Sequence, residues 1–212
     1  MQLTPTEGYD MPMRQNSPSE QDKAIFQHIR HLGGSSLKVT NFLDDSEEFS
    51  IDLMSAADMP DSGVTTWATI GLSTYSIDIE LPGQRELRVE FVAACGSEWS
   101  NLFGNAMSSC AINIIKMGAS CRPGTVYPNV IGQYDGTLTM KHMMFVPVFL
   151  FQPIPNLQIG ACEVTWLQAI PISDEEFEVR KASGEDALMD VFEREQIDVF
   201  DLNRPSVHMA GQ

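Results

Sequence analysis

Two histidines at helical spacing are the first candidates for metal chemistry. His28 and His31 stand three residues apart in SPSEQDKAIFQHIRHLGG, a stretch that predicts a helix, and this spacing can place two ligands on one helix face. No carboxylate follows them at the spacing of a metal site. The acidic cluster at residues 44–48 lacks the spaced oxygen ligands and the glycine turn of a calcium loop. We therefore predict no bound metal.

The sequence also contains no recognisable motif for a catalytic nucleophile or for nucleotide binding. The segment GLSTY (71–75) does not match GxSxG, and neither GxGxxG nor a P-loop is present. His142 lies within an apolar strand pattern, which favours a buried, hydrogen-bonded histidine. A cysteine paired with His142 stays open as an alternative, although no local pattern supports it. We predict a non-enzymatic protein without catalytic residues or a cofactor, and an uncharacterised hydrolase is the minor alternative.

The cysteines point to a reducing compartment. No CxxC occurs, and the spacings between the four cysteines fit neither a zinc knuckle nor a compact disulfide framework. The cysteines are Cys95, Cys110, Cys121 and Cys162. The N-terminus has no apolar core of a signal peptide, and no apolar run approaches the roughly 18 residues of a membrane span. We therefore expect free thiols and a cytoplasmic protein.

The net charge limits the kinds of partner. The chain of 212 residues has a formal net charge of -16. Residues 1–70 contain 11 acidic and 4 basic residues, and residues 171–212 contain the same numbers. Residues 71–170 contain 7 acidic and 5 basic residues, so the negative charge is concentrated at the two flanks. A field of this sign repels nucleic acid and anionic lipid, so we predict neither as a partner, and it attracts basic proteins. The alternative that the acidity only keeps the protein in solution stays open.

The acidic C-terminal part begins with a strong helix signal. In ISDEEF (172–177), Ser173 can cap the helix, Glu176 completes a capping box, and Ile172 can pack on Phe177. A second helix start follows at residues 183–186. Capping explains part of this acidity, and the remaining carboxylates form a negative face. Our candidate partner-binding residues are these acids, with a second group before the first predicted strand: Asp174, Glu175, Glu178, Glu185 and Asp190, then Asp44, Asp45, Glu47 and Glu48.

The remaining chain supplies a scaffold for these surfaces. Residues 1–16 predict a flexible lead-in, and 17–212 a single domain that begins with a helix capped by Ser17. Alternating patterns predict strands near residues 48–55, 65–73, 74–81 and 86–95, with a hairpin at Pro82–Gly83. Helical spacing takes over at residues 97–118, and two further strands precede the acidic helices. This order predicts an α+β fold with a mixed, largely antiparallel sheet packed against helices.

Several segments in this order resemble the suppressor-of-fused domain family. They are TTWATIGLSTY, LRVEFV, RPGTVYPNVI, MKHMMFVPVFLF and the block from VTWLQAIPIS to LNRPSV, which span about residues 35–207. The block is the most specific part, with Trp166, Glu176, Gly184 and Arg204 among its markers. The resemblance is to the single-domain bacterial form. It implies non-enzymatic binding, and no catalytic set is transferred.

Two functions follow from this resemblance. Bacterial members of the family resemble immunity proteins, or antitoxins, that neutralise a toxin made by the same cell, and the acidic excess would then favour a basic toxin domain. The animal member sequesters a transcription factor by clamping an extended peptide. That clamp has two domains and is not carried over to this chain. An exposed sheet edge could still take an extended peptide as an added strand, so the alternative is a peptide-binding adaptor, with the turn-rich residues 122–136 flanking the groove.

Overall fold

The structure, a computed structural model, describes residues 17–34, 36–83 and 85–207. The predicted lead-in at residues 1–16 and His208 lie outside these residues. The helices are α1 (Glu20–Ile29), α2 (Ser100–Met117), α3 (Asp174–Ser183) and α4 (Glu185–Glu195). The strands are β1 (Leu37–Leu43), β2 (Ser50–Ala57), β3 (Val64–Ile70), β4 (Ile79–Leu81), β5 (Arg85–Gly96), β6 (Val126–Tyr127), β7 (Met140–Pro147), β8 (Leu157–Ile159) and β9 (Cys162–Ser173).

All the described strands form one sheet in the order β1-β2-β3-β5-β9-β7-β6, with β4 added to β5 and β8 added to β9. The central pair, β5 and β9, is parallel, and the other pairs are antiparallel. The predicted α+β class and the largely antiparallel sheet are confirmed. The predicted hairpin across Pro82–Gly83 is the β4–β5 pair.

The helices cover both faces of the sheet. Helix α2 packs on one face, where the fully buried rings of Phe91, Phe103 and Phe145 meet. Along β9, the even-numbered residues 164–172 point to the opposite face. Their side chains pack with α1 at one end and with α3 and α4 at the other. The strands β7 and β9 are therefore buried on both sides, which explains their nearly continuous apolar character.

Two local predictions need correction. Helix α1 is capped by Ser19, not Ser17, because the sequence holds two overlapping Ser-x-x-acid patterns and the box that forms joins Ser19 to Asp22. The strand β1 was missed, since most of its residues are exposed and polar residues interrupt its apolar alternation. The acidic residues 44–48 therefore lie in the turn between β1 and β2, not before the first strand.

Candidate functional site

The α3 start forms as predicted. The Ser173 hydroxyl accepts a hydrogen bond from Glu176 N at 3.2 Å, and the Glu176 carboxylate accepts one from Ser173 N at 3.1 Å. Asp174 and Glu175 follow in the first turn, where the helix dipole favours negative charge. Helix α4 begins one residue later than its sequence suggested, because Ser183 still belongs to α3 and Gly184 occupies the cap position with φ of 89°.

Asp174 holds α3 against β7. Its carboxylate accepts hydrogen bonds from Lys141 Nζ at 2.6 Å and from His142 Nε2 at 2.9 Å. Asn129 N donates to His142 Nδ1 at 2.8 Å, so the proton of the neutral ring lies on Nε2. The hydrogen bond from Lys141 contributes most to lowering the pKa of Asp174. The prediction of a buried, hydrogen-bonded His142 is confirmed, and the Asp174 charge is already engaged within the chain.

Three other predicted contact residues also have neighbours within the chain. Glu175 accepts a hydrogen bond from Ser206 Oγ at 2.9 Å, and Lys181 pairs with Glu178 at 2.6 Å. Glu185 is half-buried at the α3–α4 junction, and this burial raises its pKa. Gly124 lies close against it, since a Cβ added at Gly124 would lie 2.4 Å from Glu185 Oε2. These acids therefore order the helical pair as well as charging it.

Helix α4 presents the least engaged carboxylates of this region. Leu188, Val191 and Phe192 are buried, so the opposite side of the helix faces solvent. Asp190 lies on that side and is exposed, with no hydrogen bond or ion pair to another described residue. Asp186 and Glu193 are likewise exposed at helical spacing from it. We call these three residues the α4 stripe.

The second predicted group divides into one structural acid and three exposed ones. Asp44 Oδ1 accepts hydrogen bonds from the backbone N–H groups of Glu48 and Phe49, each at 3.0 Å. Its Oδ2 accepts from Ser46 Oγ at 2.7 Å and from Lys116 Nζ, on α2, at 2.9 Å. These contacts, that of Lys116 first, hold the pKa of Asp44 far below its usual range. Asp44 thus fixes the turn.

The fixed turn exposes the other three acids. Asp45, Glu47 and Glu48 are exposed, and their carboxylates make no hydrogen bond or ion pair within the described part of the chain. Glu47 adopts a left-handed backbone conformation with φ of 57°. We call these three residues the turn acids. Beside them, a cleft of about 560 Å³ opens between the end of β1 and α2, and Leu43, Asp45 and Tyr134 contribute to its lining.

The two predicted groups lie far apart. Helices α3 and α4 pack on β7 and β9, whereas the turn acids follow β1 at the opposite edge of the sheet. Five strand intervals of about 4.8 Å separate β1 from β7, which is about 24 Å. The turn also contacts α2 on one face of the sheet, while α3 and α4 lie on the other. A partner that docks on one flat surface therefore contacts one group and not both.

The residues considered for chemistry have structural surroundings. The His28 ring stacks on Trp166 at 4.9 Å, with its Nε2 2.8 Å from Pro155 O, and His31 Nδ1 lies 2.9 Å from His28 O. Burial raises the pKa of the Cys95 thiol and that of the Cys121 thiol, each to about 12. The described residues contain no group of three or more histidine, cysteine or acidic side chains that could hold a metal ion. None of their helices is long and apolar enough to cross a membrane.

A buried glutamate explains the ATIGLS segment (68–73). Glu90 on β5 is fully buried and accepts five hydrogen bonds from that segment. The donors are Thr69 Oγ1 at 2.6 Å, Gly71 N at 2.9 Å, Leu72 N at 3.3 Å, and Ser73 N and Oγ at 2.9 and 2.7 Å. Burial raises the pKa of Glu90 in spite of these donors. Our sequence reasoning missed this role, although a lone acid within the apolar run LRVEFV could have signalled it.

A buried ion pair explains the C-terminal block. Arg204 Nη1 and Nη2 donate to the two oxygens of Glu176 at 2.5 and 2.8 Å, and Nη2 also lies 3.2 Å from Pro171 O. The Arg204 guanidinium lies 5.2 Å from the centre of the Phe192 ring. Val207 N donates to Glu176 at 3.0 Å. The sequence indicated both charged residues as markers, and the structure shows that they fasten the chain end onto α3.

Comparison with known proteins agrees with this architecture. The chain is 42% identical over 190 residues to Immunity protein YqcF of Bacillus subtilis (strain 168), which covers 89% of this chain and 98% of that protein. The family model for Suppressor of fused protein matches residues 47–205.

Solved structures share the fold at low identity. A suppressor-of-fused homolog from Neisseria gonorrhoeae FA 1090 superposes with a TM-score of 0.63 and 13% identity, over 90% of this chain and 99% of the other. The Sufu–Fu complex gives a TM-score of 0.64 and 12% identity over 90% and 93%. Drosophila Suppressor of Fused superposes with a TM-score of 0.54 and 12% identity, over 87% of this chain and 50% of its own length. With the family model matching most of its length, the chain belongs to the suppressor-of-fused family.

Proposed function

We propose that this chain is an immunity protein that neutralises a toxin by tight binding, with no catalytic step of its own. The observation that carries the proposal is the 42% identity across 98% of Immunity protein YqcF. The identity extends over nearly the whole of that protein and is far higher than the 13% identity of the solved homolog. The toxin and the immunity protein would meet in the cytoplasm of the cell that makes both. The free cysteines fit that compartment.

The charge distribution supports a basic toxin domain as the partner. At a net charge of -16, long-range attraction speeds encounter with a basic surface, and rate increases of about 10- to 1000-fold are typical of such steering. Charges that are free of partners within the chain contribute most to recognition, since no existing contact must be broken. Of the nine predicted contact residues, this favours Asp190 and the three turn acids over those engaged in the helical pair. The engaged residues would then contribute through the field of the whole surface.

A second candidate, a peptide-binding adaptor, is favoured by one specific observation. The outer edge of β1 pairs with no described strand, so an extended peptide can be added there. The Sufu–Fu structure is a protein complex on a similar fold, which is consistent with binding as the shared use of the architecture. The two candidates differ in their partner, a folded toxin or a linear segment, and in how strongly binding depends on salt.

Co-expression tests the toxin proposal directly. If a large protein is encoded beside the gene for this chain, the probe is its C-terminal domain, expressed from an inducible promoter. The chain should restore growth and should bind the purified domain with a dissociation constant in the nanomolar range or below. Growth arrest that the chain does not relieve, together with no binding, would contradict the proposal.

Charge reversal then locates the contact surface. Converting the three turn acids to lysine, or the α4 stripe to lysine, should slow association at least tenfold at low salt for the group that the toxin contacts. The matched control converts three exposed acids outside both groups, which changes the net charge equally: Glu20, Glu80 and Glu98. If all three triple variants slow association equally, only the overall charge matters and neither group is the contact surface.

A further inference from the structure

The outer edge of β1 is an open row of backbone hydrogen-bonding groups. Asp44 N donates to Phe49 O at 2.9 Å across the β1–β2 turn. Because antiparallel pairs alternate, Phe42 and Thr40 also direct their backbone groups toward β2. The N–H and C=O groups of Val39, Asn41 and Leu43 therefore point away from the sheet. No described strand lies on that side.

Within the described residues, this edge lacks the usual protection of an edge strand. Native sheets shield their edges with prolines, bulges, several charges or very short strands. β1 is seven residues long and pairs in a continuous register with β2, and it contains no proline and a single charged residue, Lys38. Val39 and Leu43 are 52% and 56% exposed, so two aliphatic side chains of β1 are accessible to a partner. The edge therefore offers both a hydrogen-bonding row and apolar contacts.

The flanks of β1 carry negative charge at both ends. The turn acids follow its last residue. At its start, Leu37 pairs with Ala56, which brings the exposed Asp58 and Asp61 of the β2–β3 turn alongside. The occupant must therefore carry positive charge at its ends. A second copy of this chain fits poorly, because each copy has a net charge of -16.

We propose that the outer edge of β1 binds an extended, basic segment of a partner protein as an added strand. Apolar side chains of that segment pack beside Val39 and Leu43, and lysine or arginine residues at its ends face the carboxylates on either flank. The cleft beside Leu43 receives one of these basic side chains near Asp45. This inference deepens the proposed function by naming how the partner is held, and it rests on that function only for the identity of the partner.

A peptide selection tests the site without the toxin. A displayed library of ten-residue peptides, unbiased in charge, is selected against the immobilised chain. We expect the selected peptides to have apolar residues at alternate central positions and lysine or arginine at the ends. Whatever their affinity for the parent chain, the selected peptides must bind less tightly to a variant that lacks one outward N–H group.

Val39→Pro is that variant, because proline is tolerated at edge strands and lacks the N–H group. The matched control, Val39→Ala, retains the N–H group and shortens the side chain. We expect at least a tenfold loss of peptide affinity for Val39→Pro and a smaller loss for Val39→Ala. Unfolding curves of both variants should match the parent protein, and Asn41→Pro serves as a second N–H deletion on the same edge if Val39→Pro unfolds.

Hydrogen exchange gives a readout that depends on the backbone alone. The amides of Val39, Asn41 and Leu43 should exchange fast in the free protein and slowly with bound peptide. The amides of Thr40 and Phe42, already bonded to β2, should change little. Selected peptides that bind Val39→Pro as tightly as the parent, or that leave these amides unprotected, overturn the proposal, as does a failure to select any basic peptide. A dimer that Val39→Pro dissociates would overturn it in favour of a second copy as the occupant.

These outcomes are independent of the toxin experiment. If the Val39→Pro variant relieves toxicity as well as the parent chain, the proposed function stands and the strand-addition site is refuted. A chain that binds basic peptides at β1 but does not relieve toxicity keeps the site and loses the immunity role.

Discussion

The Arg204–Glu176 ion pair should be the most sensitive point of the fold, and Arg204→Ala tests this. Arg204 is 4% exposed and Glu176 is fully buried. Removing the arginine leaves the carboxylate with two backbone donors, the N–H groups of Ser173 and Val207. Breaking a buried ion pair by deleting one partner costs about 3–5 kcal/mol, because the remaining charge is buried without compensation. The lost contact with Phe192 adds about 0.5–1 kcal/mol.

The sum, about 5 kcal/mol, is a large part of the roughly 5–15 kcal/mol that holds a typical domain folded. Urea unfolding at pH 7, followed by tryptophan fluorescence, measures it as a lower midpoint at an unchanged slope. The matched control is Lys23→Ala, which removes the exposed pair with Glu20, where the two side chains are 57% and 90% exposed. That variant should lose less than about 1 kcal/mol.

A double variant separates the free-energy cost of leaving one buried charge unpaired from the net contribution of the ion pair to stability. Replacing both Glu176 and Arg204 with apolar residues of similar volume removes the uncompensated charge and should recover part of the loss. A loss of less than about 1 kcal/mol in Arg204→Ala, equal to that of Lys23→Ala, would refute the reasoning. It would show that the chain end contributes nothing to the cooperative fold.

Three further changes have defined outcomes. Glu90→Ala should lower the free energy of unfolding by about 3 kcal/mol, because it leaves five buried donors without an acceptor. Glu90→Gln should cost less, since its amide oxygen can still accept the three hydrogen bonds that Oε1 accepts from Gly71 and Ser73, and chemical denaturation of both variants checks this order. The lowered pKa of Asp44 means that its ionised form stabilises the protein above its ordinary value of 3.8 and that this stabilisation is lost as the pH falls below it. Asp44→Asn should therefore lose less stability than the parent between pH 6 and pH 2.5 in unfolding measurements, and equal losses would contradict the assignment. In the native protein, Cys162 should react with a thiol reagent before the three buried cysteines, and Cys162→Ser should remove this fast phase of the absorbance change.

Local sequence determined where the helices lie, and it determined the start of α3 but not the caps of α1 and α4. The capping box of Ser173 and Glu176, and the apolar spacing that predicts α2, depend on residues within one or two turns of each other, so their physics is readable from neighbours in the chain. The alternation of Ile51 and Leu53 predicted β2 for the same reason. The family resemblance added the class of fold, and the charge excess is a property of composition alone.

Tertiary structure decided what the charges do. Asp44 and Asp174 have the same carboxylate as Asp190, yet the first two are neutralised by Lys116 and Lys141 on other elements, and only the third remains free within the described chain. Strand order placed the two acidic groups at opposite edges of the sheet. It also left β1, which sequence reasoning had missed, with no described strand on its outer side. Such pairings join residues tens of positions apart, and the free energy that selects them comes from packing and burial across the sheet, which no local pattern encodes.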